Sequence, residues 1–235
     1  MCVNYITVSR EIALARFNAA LDAGEDWANE IYQDYRAPFI IHDEKGDRKA
    51  LVGSYGFIPQ KYKPPGVTRM TTMNVRGEEV GSKRHYKKHW LESKLCLVPA
   101  MAVYEPNWET GSHVRWAIGV AERAPFAMAG MWRSWEEDDG VIAHSFTQFT
   151  MNADDHLLLN RFHRPGEEKR GVVIIRPEDY DNWLSCKNPE LARAYLQLLP
   201  PEALTAWPEP RMSGSKPAKA KVDEEASDKE QPTLF

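Results

Sequence analysis

The chain has 235 residues, a formal net charge of −4 at pH 7 and a hydrophobic fraction of 43%, which suffices for the core of one large domain. The acidic balance excludes a protein that coats nucleic acid through a uniformly basic surface. We see no signal peptide and no apolar run long enough to cross a bilayer, and three cysteines favour a reducing compartment, so we expect a cytoplasmic protein.

The first chemically distinctive feature in chain order is Met1-Cys2. An initiator methionine is normally removed in front of a residue as small as cysteine, and we expect Cys2 to carry a free α-amine beside its thiol. The amine has an ordinary pKa of about 7.7–8.0, so part of it is neutral at pH 7 and can condense with an aldehyde. The thiol can then close a thiazolidine ring, at a rate that depends on its thiolate fraction. The alternative is an idle thiol in a frayed terminus.

The rest of the pattern predicts short strands and a few helices. Ser9 is expected to cap a helix that continues through Leu21 to Gly24, and residues 33–47 are expected to be irregular around Pro38. Strands are predicted at residues 3–8, 50–59, 95–105 (in two pieces around Pro99), 114–121, 126–135, 141–150 and 171–176, and further helices at 82–92, 153–160, from 177 and 188–199. This spacing predicts an α+β domain with a curled, mostly antiparallel, barrel-like sheet and flanking helices.

A basic stretch covers residues 61–94. Nine positive side chains against three negative ones leave an excess of six positive charges in a chain of net charge −4. Aromatic residues such as Tyr62 and Trp90 lie between them. Cations that follow phosphates and rings that stack on bases suit single-stranded nucleic acid. The alternative is a solvated helix face with Trp90 in the core.

Several motifs follow one another along the chain, namely Met1-Cys2, Tyr55-Gly56-Phe57-Ile58-Pro59, Asn74-Val75-Arg76-Gly77-Glu78, Cys96 to Ala100 followed by Tyr104-Glu105, the 126–135 strand, and His163 ahead of Val172 to Tyr180. In this order they resemble the SOS-response-associated peptidase (SRAP) family. We therefore expect residues 1–208 to form one SRAP domain with the barrel-like core described above. Residues 209–230, rich in Lys, Ala, Ser, Glu and Asp, are predicted to be a disordered linker.

The resemblance implies that the protein senses abasic sites in single-stranded DNA and traps the opened sugar aldehyde on Cys2 as a thiazolidine, protecting the lesion during replication. It implies that Asn74 holds the amine or the sugar, that Glu105 moves protons, and that His163 assists sugar opening and reversal of the crosslink. Each of these three also has an ordinary structural interpretation. The implied DNA contacts are Arg76, Arg84, Lys87 and Tyr62.

Three departures from the family pattern affect this expectation. The Trp pair that lies beside the lesion in some members is replaced in this chain around Lys61-Tyr62. The family usually has Gly-Arg after the cysteine, whereas this chain has Val3-Asn4, and Asn4 cannot supply that phosphate contact. The usual short segment after the histidine is opened by an insertion at residues 166–170. Only Met1 precedes Cys2, so we expect little self-cleavage despite the peptidase name.

The last five residues contain Gln231, Leu234 and Phe235, and resemble the short peptides that dock on the bacterial DNA polymerase sliding clamp. The alternative is an ordinary frayed terminus. We expect a monomeric DNA-damage protein at replication sites in the nucleoid, with no cofactor and no metal, because the cysteines and histidines do not cluster at ligand spacing. Two competing hypotheses are a non-catalytic, clamp-bound adaptor for single strands and an N-terminal-cysteine peptidase or amidohydrolase.

Overall fold

The computed structural model describes residues 4–22, 24–68 and 70–210. The predictions made for Cys2, for most of the linker, and for Gln231, Leu234 and Phe235 lie outside the described residues. Within the described ranges no helix combines the length and the apolar character that a membrane crossing needs.

Fourteen strands and four α-helices make up the described part of the fold. The strands are β1 Tyr5–Ile6, β2 Ala20–Leu21, β3 Glu30–Ile31, β4 Arg36–His42, β5 Arg48–Tyr55, β6 Asn74–Arg76, β7 Leu95–Ala100, β8 Ala102–Asn107, β9 Val114–Val120, β10 Phe126–Glu136, β11 Ile142–Asn152, β12 Arg170–Val172, β13 Ile174–Ile175 and β14 Leu204–Pro208. The helices are α1 Arg10–Phe17, α2 Arg84–Leu91, α3 Tyr180–Ser185 and α4 Pro189–Arg193.

Five strands close into a barrel. The neighbours β5, β4, β7, β10 and β11 pair antiparallel in that order, and a short parallel contact between β11 and β5, at Ser145–Ser54 and Phe146–Tyr55, completes the ring. A second sheet runs in the order β14, β9, β8, β1, β3. These pairings confirm the predicted α+β fold with a curled, mostly antiparallel, barrel-like sheet.

Side chains on β10 alternate between two apolar clusters, because successive residues of a strand point to opposite faces. Ala129 and Met131 pack with residues of the helices, such as Trp183. Met128 packs instead with residues of the second sheet, among them Val103 of β8. The second cluster therefore joins β8 to the barrel, and β8 carries Glu105.

Two predictions near the N-terminus need correction. Helix α1 is capped by Ser9 as expected but ends at Phe17, because Asn18 takes the left-handed conformation (φ 48°) and Leu21 enters β2. Residues 36–42 are not irregular but form β4. Pro38 is tolerated there because β4 pairs with β7 only at Ile40, so the missing N–H breaks no bond on that side.

The helix predicted at residues 153–160 is also wrong. The segment forms turns that end in a short 3₁₀ helix at Leu159–Arg161. Asn152 Oδ1 accepts from the Asp154 N–H, and His156 Nδ1 accepts from the N–H groups of Leu158 and Leu159. Such local side-chain bonds compete with helical hydrogen bonds. Helix α4 is capped by Asn188 as expected but ends at Arg193 rather than Leu199.

Candidate functional site

A buried carboxylate and a buried imidazole meet where β8 approaches the segment after the 159–161 turn. His163 Nδ1 lies 3.2 Å from Glu105 Oε2, with 3% and 5% of the two side chains exposed. A bridge between Asn107 and Phe162, and a hydrogen bond from the His163 N–H to the Pro106 carbonyl (2.9 Å), fix this approach. His163 itself adopts φ +65°, which is uncommon for a residue with a side chain.

The second ring nitrogen of His163 determines where its hydrogen lies. Nε2 is 2.9 Å from the carbonyl oxygen of Arg170. A carbonyl only accepts, so Nε2 carries the hydrogen. Nδ1 of a neutral ring would then point a lone pair at Glu105. A proton on Nδ1 or on the Glu105 carboxyl would lie between the two groups, so the pair is placed to pass a proton from one to the other.

Arg170 holds that carbonyl in place. Its side chain is 3% exposed, and its guanidinium donates to both oxygens of Glu78 (2.9 and 2.8 Å), to Glu168 (2.9 Å) and to the Thr150 carbonyl (2.7 Å). Burial opposes ionisation of Glu78, but the hydrogen bonds from Arg170 and from backbone N–H groups outweigh it and lower the pKa of Glu78. The insertion after His163 thus ends in a buried, doubly paired arginine that orients the histidine.

Arg170 was not among the predicted site residues. The available signal was a charged residue at the start of the apolar strand predicted at 171–176. A buried arginine needs carboxylate partners, and the sequence does not show that Glu78 lies opposite.

Asn74 and Arg76 lie on β6, which runs parallel to β11 with Asn74 opposite Gln148 and Arg76 opposite Thr150. The Asn74 Oδ1 accepts a hydrogen bond from Gln148 Nε2 at 3.0 Å. The Thr150 carbonyl oxygen accepts a hydrogen bond from the Arg170 guanidinium. A continuous set of contacts therefore leads from β6 through β11 to Arg170 and on to the Glu105–His163 pair.

The described chain starts beside Glu105. The Asn4 carbonyl accepts a hydrogen bond from the Tyr104 N–H at 3.2 Å. The Asn4 side chain is buried and donates to Glu30, which also accepts from Arg115 at 2.5 Å. Asn4 is therefore held inside the fold.

Comparison with known proteins identifies the family. The model described as SOS response associated peptidase (SRAP) matches residues 1–212. The chain belongs to the SRAP family. A relative from Bacillus subtilis, named abasic site processing protein YoaM, is 26% identical over 167 residues, which cover 70% of this chain and 68% of that protein.

Solved structures share the SRAP architecture. A protein from Bordetella bronchiseptica is 29% identical, with a TM-score of 0.79 over 88% of this chain and 99% of its own. A protein from Bacteroides thetaiotaomicron is 20% identical, with a TM-score of 0.71 over 88% of this chain and 91% of its own. The second likeness concerns the fold alone.

The residues that the SRAP resemblance implies as DNA contacts differ in their surroundings. Arg84 and Lys87 are exposed on α2, while Trp90 of the same helix is buried. Arg76 forms an ion pair with Glu168 at 2.6 Å. Tyr62 stacks on Trp135 with ring centroids 4.0 Å apart, and its hydroxyl contacts Glu137. One face of the Tyr62 ring is therefore already covered by the protein.

Metal ligands do not cluster in the described part of this SRAP chain, where no group of three His, Cys, Asp or Glu side chains is placed to hold an ion. Cys96 is buried in the second apolar cluster, and burial raises the pKa of its thiol. Neither Cys96 nor the partly exposed Cys186 lies at the Glu105–His163 pair.

Proposed function

We propose that this SRAP protein processes abasic sites in single-stranded DNA and traps the ring-opened sugar aldehyde on Cys2 as a thiazolidine. The observation that carries the proposal is the buried Glu105–His163 pair, which lies next to the strand that leads to the N-terminus. Cys2 precedes Asn4 by two residues, and two residues span at most about 7 Å. The name of the Bacillus subtilis relative supports the same substrate.

The chemistry needs one proton donor and acceptor at two steps. The Cys2 amine adds to the aldehyde carbon, and the oxygen leaves as water after it is protonated, which gives an imine. The thiolate then adds to the imine carbon, and the amine nitrogen regains a proton. In the proposal Glu105, with His163 as its proton partner, gives the proton to the departing oxygen and takes one from the attacking amine.

The remaining residues of the proposal hold the substrate. Asn74 offers an amide beside Gln148 and would hydrogen-bond the amine or the opened sugar. Arg84 and Lys87 present exposed cations to backbone phosphates, and Arg76 would do so after it leaves Glu168. His163 would also assist reversal, since reversal passes through the same proton transfers in the opposite order.

The decisive experiment is intact mass spectrometry of the full chain after incubation with a single-stranded oligonucleotide that carries one abasic site. We expect a protein that lacks Met1, and a covalent product with the summed mass of protein and oligonucleotide less one water. Cys2→Ala should give no product, and Cys96→Ala, a change at a buried thiol, should give the full amount. A wild-type protein that retains Met1 and forms no adduct would overturn the proposal.

The wild-type and Cys2→Ala proteins also separate the two competing functions, when each is tested with the oligonucleotide and with peptide or amide substrates. An adaptor for single strands would bind the oligonucleotide equally well with Cys2→Ala and without any adduct. An N-terminal-cysteine hydrolase would cleave peptide or amide substrates and lose that cleavage in Cys2→Ala. Adduct formation on the abasic oligonucleotide favours the aldehyde trap over both.

We further propose that Gln231, Leu234 and Phe235 dock on the sliding clamp and keep the protein near replicating DNA. A Gln amide can fix the register of an extended peptide, and an adjacent Leu-Phe pair can fill an apolar pocket. Leu234→Ala combined with Phe235→Ala should abolish binding of the full chain to a purified bacterial sliding clamp, whereas Val222→Ala in the linker should leave it unchanged. Equal binding by all three proteins would contradict this proposal.

A further inference from the structure

Arg133 is an arginine held in place by aromatic rings. It lies on β10 opposite Ser145 of β11. Its guanidinium carbon is 3.6 Å from the centroid of the Trp135 ring and 5.6 Å from that of Phe57. Tyr62 stacks on the same Trp135 at 4.0 Å, with 7° between the ring planes. Two groups this close to one ring centre must lie on opposite faces, so Trp135 is sandwiched between Tyr62 and Arg133.

The sandwich is itself anchored. Trp135 Nε1 donates to Ser145 Oγ at 2.8 Å, and Ser145 Oγ donates to the Phe57 carbonyl at 2.9 Å. Lys61 and the Tyr62 hydroxyl both contact Glu137, which ties the 3₁₀ helix Gln60–Tyr62 to the end of β10. The guanidinium of Arg133 therefore has a fixed position before any ligand arrives.

Unlike comparable arginines, Arg133 has no carboxylate partner among the described residues. Arg48 pairs with Asp181, Arg115 with Glu30 and Arg170 with Glu78. Arg133 makes no hydrogen bond or ion pair within the described ranges, and its Nε is enclosed without an acceptor. Because burial of a cation without a counter-charge is costly, such an arrangement is typical of a site that receives an anion from outside.

The surroundings of Arg133 add to its positive potential. Phe57, which Arg133 contacts, also touches Tyr86 and His89 of α2, with ring centroids 5.1 Å apart in both cases. Burial, together with the charge of Arg133, lowers the pKa of His89 to about 4. The exposed side of α2 carries basic side chains, and the neighbouring Glu137 is already taken by Lys61. Glu92, which follows α2, acts on His89 but lies 3.9 Å from Lys88, so the described carboxylates near this region face other cations.

The position of Arg133 suits the proposed DNA path. Gly130 lies opposite Gln148, the partner of Asn74, and Arg133 lies three residues further along β10, about 10 Å along the strand and on its other face. Arg133 lies on the α2 side of the sheet, where it meets Phe57. A strand that leaves the Glu105 region over Arg84 and Lys87 of α2 would pass this cation.

We propose that Arg133, fixed on Trp135, is a preformed binding site for one backbone phosphate of the single strand, away from the lesion. The inference rests on the proposed function only in taking DNA as the ligand. It does not depend on Cys2 chemistry. A guanidinium held on a ring still offers its outer N–H groups to two oxygens of a phosphate.

The test uses the full chain and an unmodified single-stranded oligonucleotide, with affinity measured by fluorescence anisotropy at several salt concentrations. Arg133→Gln should weaken binding about tenfold and reduce the slope of log affinity against log salt by about 0.7. Arg123→Gln is the matched control. The Arg123 guanidinium carbon also lies over a tryptophan ring, 4.2 Å from the centroid of Trp207, but Trp207 is on β14 of the second sheet. Arg123→Gln should leave both quantities unchanged. Arg133→Gln with wild-type affinity and slope would overturn the proposal.

A second variant, Arg133→Lys, keeps the test decisive if Arg133→Gln does not fold. Arg133→Lys keeps the charge and the aliphatic stem but loses the planar fork, so it should bind about threefold more weakly with an unchanged salt slope. If Arg133→Gln melts far below the wild type, the result with Arg133→Lys decides, and wild-type affinity of that variant would overturn the proposal.

The outcome is separable from that of the proposed function. At saturating concentrations of an abasic oligonucleotide, Arg133→Gln should reach the same adduct yield as wild type, because Arg133 does not touch the reacting atoms. Weakened binding in a protein that forms no adduct would leave Arg133 as a phosphate site and remove the aldehyde trap. Adduct formation by the wild type, together with unchanged affinity in Arg133→Gln, would support the aldehyde trap and remove Arg133 as a phosphate site. A wild-type protein that binds no single strand would overturn both.

Discussion

His163 Nδ1 faces Glu105 Oε2 at 3.2 Å, while Nε2 of the same ring donates to the Arg170 carbonyl at 2.9 Å. The second bond fixes the tautomer, so Nδ1 is the ring atom that faces the carboxylate. Both side chains are almost fully buried, which limits the access of water to this contact. A carboxylate and an imidazole at this distance can exchange a proton, and repeated proton transfer at an aldehyde requires such an exchange.

The first prediction concerns this pair. Glu105→Gln keeps a hydrogen-bonding side chain opposite Nδ1 but cannot exchange a proton, so adduct formation with an abasic oligonucleotide should slow by about 10²-fold or more. The rate is measured in single-turnover time courses at saturating oligonucleotide. Glu109→Gln is the matched control, because Glu109 lies on the same chain segment but pairs with Arg161 at the surface. Equal rates for Glu105→Gln and wild type would show that the pair carries no proton in the reaction.

The second prediction concerns Arg76, whose guanidinium is held by Glu168 at 2.6 Å. If Arg76 contacts a phosphate, Glu168 competes with the DNA for it. Glu168→Gln should therefore tighten binding of a single-stranded oligonucleotide, by about threefold, and Arg76→Gln should weaken it. Glu78 still holds Arg170 in Glu168→Gln, so the adduct rate at saturation should stay unchanged. Unchanged affinity in both variants would remove Arg76 from the DNA contacts.

The sequence predicted the strands of the fold best where patterns are local. The stretches that became β9, β10 and β11 are bounded by polar turns and differ from the prediction by only one or two residues. The strand β4 was missed because Pro38 was taken as a break, and Pro38 is tolerated because the pairing of β4 with β7 is confined to Ile40. Tertiary pairing, and not the local sequence, therefore determines that residues 36–42 form a strand.

The candidate site shows the same difference between features set by local sequence and features set by tertiary contacts. Glu105 was expected at the end of an apolar run, and its burial follows because it shares a face of β8 with Val103. The contact of Glu105 with His163 could not be predicted from spacing, because it depends on the bridge between Asn107 and Phe162. Arg170 was missed for a similar reason, because its carboxylate partners Glu78 and Glu168 both lie outside β12, the strand that Arg170 begins. Single residues were predictable, and the contacts that orient them were not.

The third prediction concerns pH and Asp181, which joins α3 to the barrel. Asp181 accepts from Arg48 at 2.7 and 2.8 Å and contacts His42 at 3.0 Å. Hydrogen bonds from Arg48 are the main reason that its pKa falls to about 2. Because the folded pKa lies below the ordinary value of 3.8, the stabilisation is complete above about pH 4 and is lost as the pH falls toward 2.

Asp181→Asn should therefore lower the melting temperature at pH 7 and matter progressively less below pH 4. The carboxylate is largely exposed, so we expect about 1 kcal/mol or less, which corresponds to about 2–4 °C for a domain of this size. The measurement is a series of thermal melts from pH 7 to pH 3. Asp155→Asn, at an exposed turn residue, is the control. A difference between Asp181→Asn and wild type that stays constant across the series would contradict the assigned cause.

The fourth prediction compares two glycines at which an added methyl group would collide, but with different neighbours. A Cβ on Gly130 would lie 2.7 Å from Cys96 Sγ, 2.8 Å from Val98 Cγ2 and 2.9 Å from the Thr147 carbonyl. The Thr147 oxygen is backbone of β11 and cannot withdraw without opening the barrel, and the Cys96 and Val98 atoms belong to short, buried side chains of β7 that have little room to turn away. A Cβ on Gly77 would lie 2.5 Å from Met151 Sδ and 3.0 Å from Leu196 Cδ1, both at the ends of side chains that can turn away.

Gly130→Ala should thus destabilise the protein by about 3 kcal/mol, at the upper end of the range for overpacked cores, whereas Gly77→Ala should cost about 1 kcal/mol or less. Chemical denaturation of the full chain, read by tryptophan fluorescence, measures both changes. Because Gly130 lies opposite Gln148, the partner of Asn74, the strain in Gly130→Ala should also slow adduct formation in the fraction that remains folded. Equal losses of stability in the two variants would mean that the closed strand pairs yield as readily as free side-chain ends, and that the barrel is not the rigid support of the Glu105–His163 site.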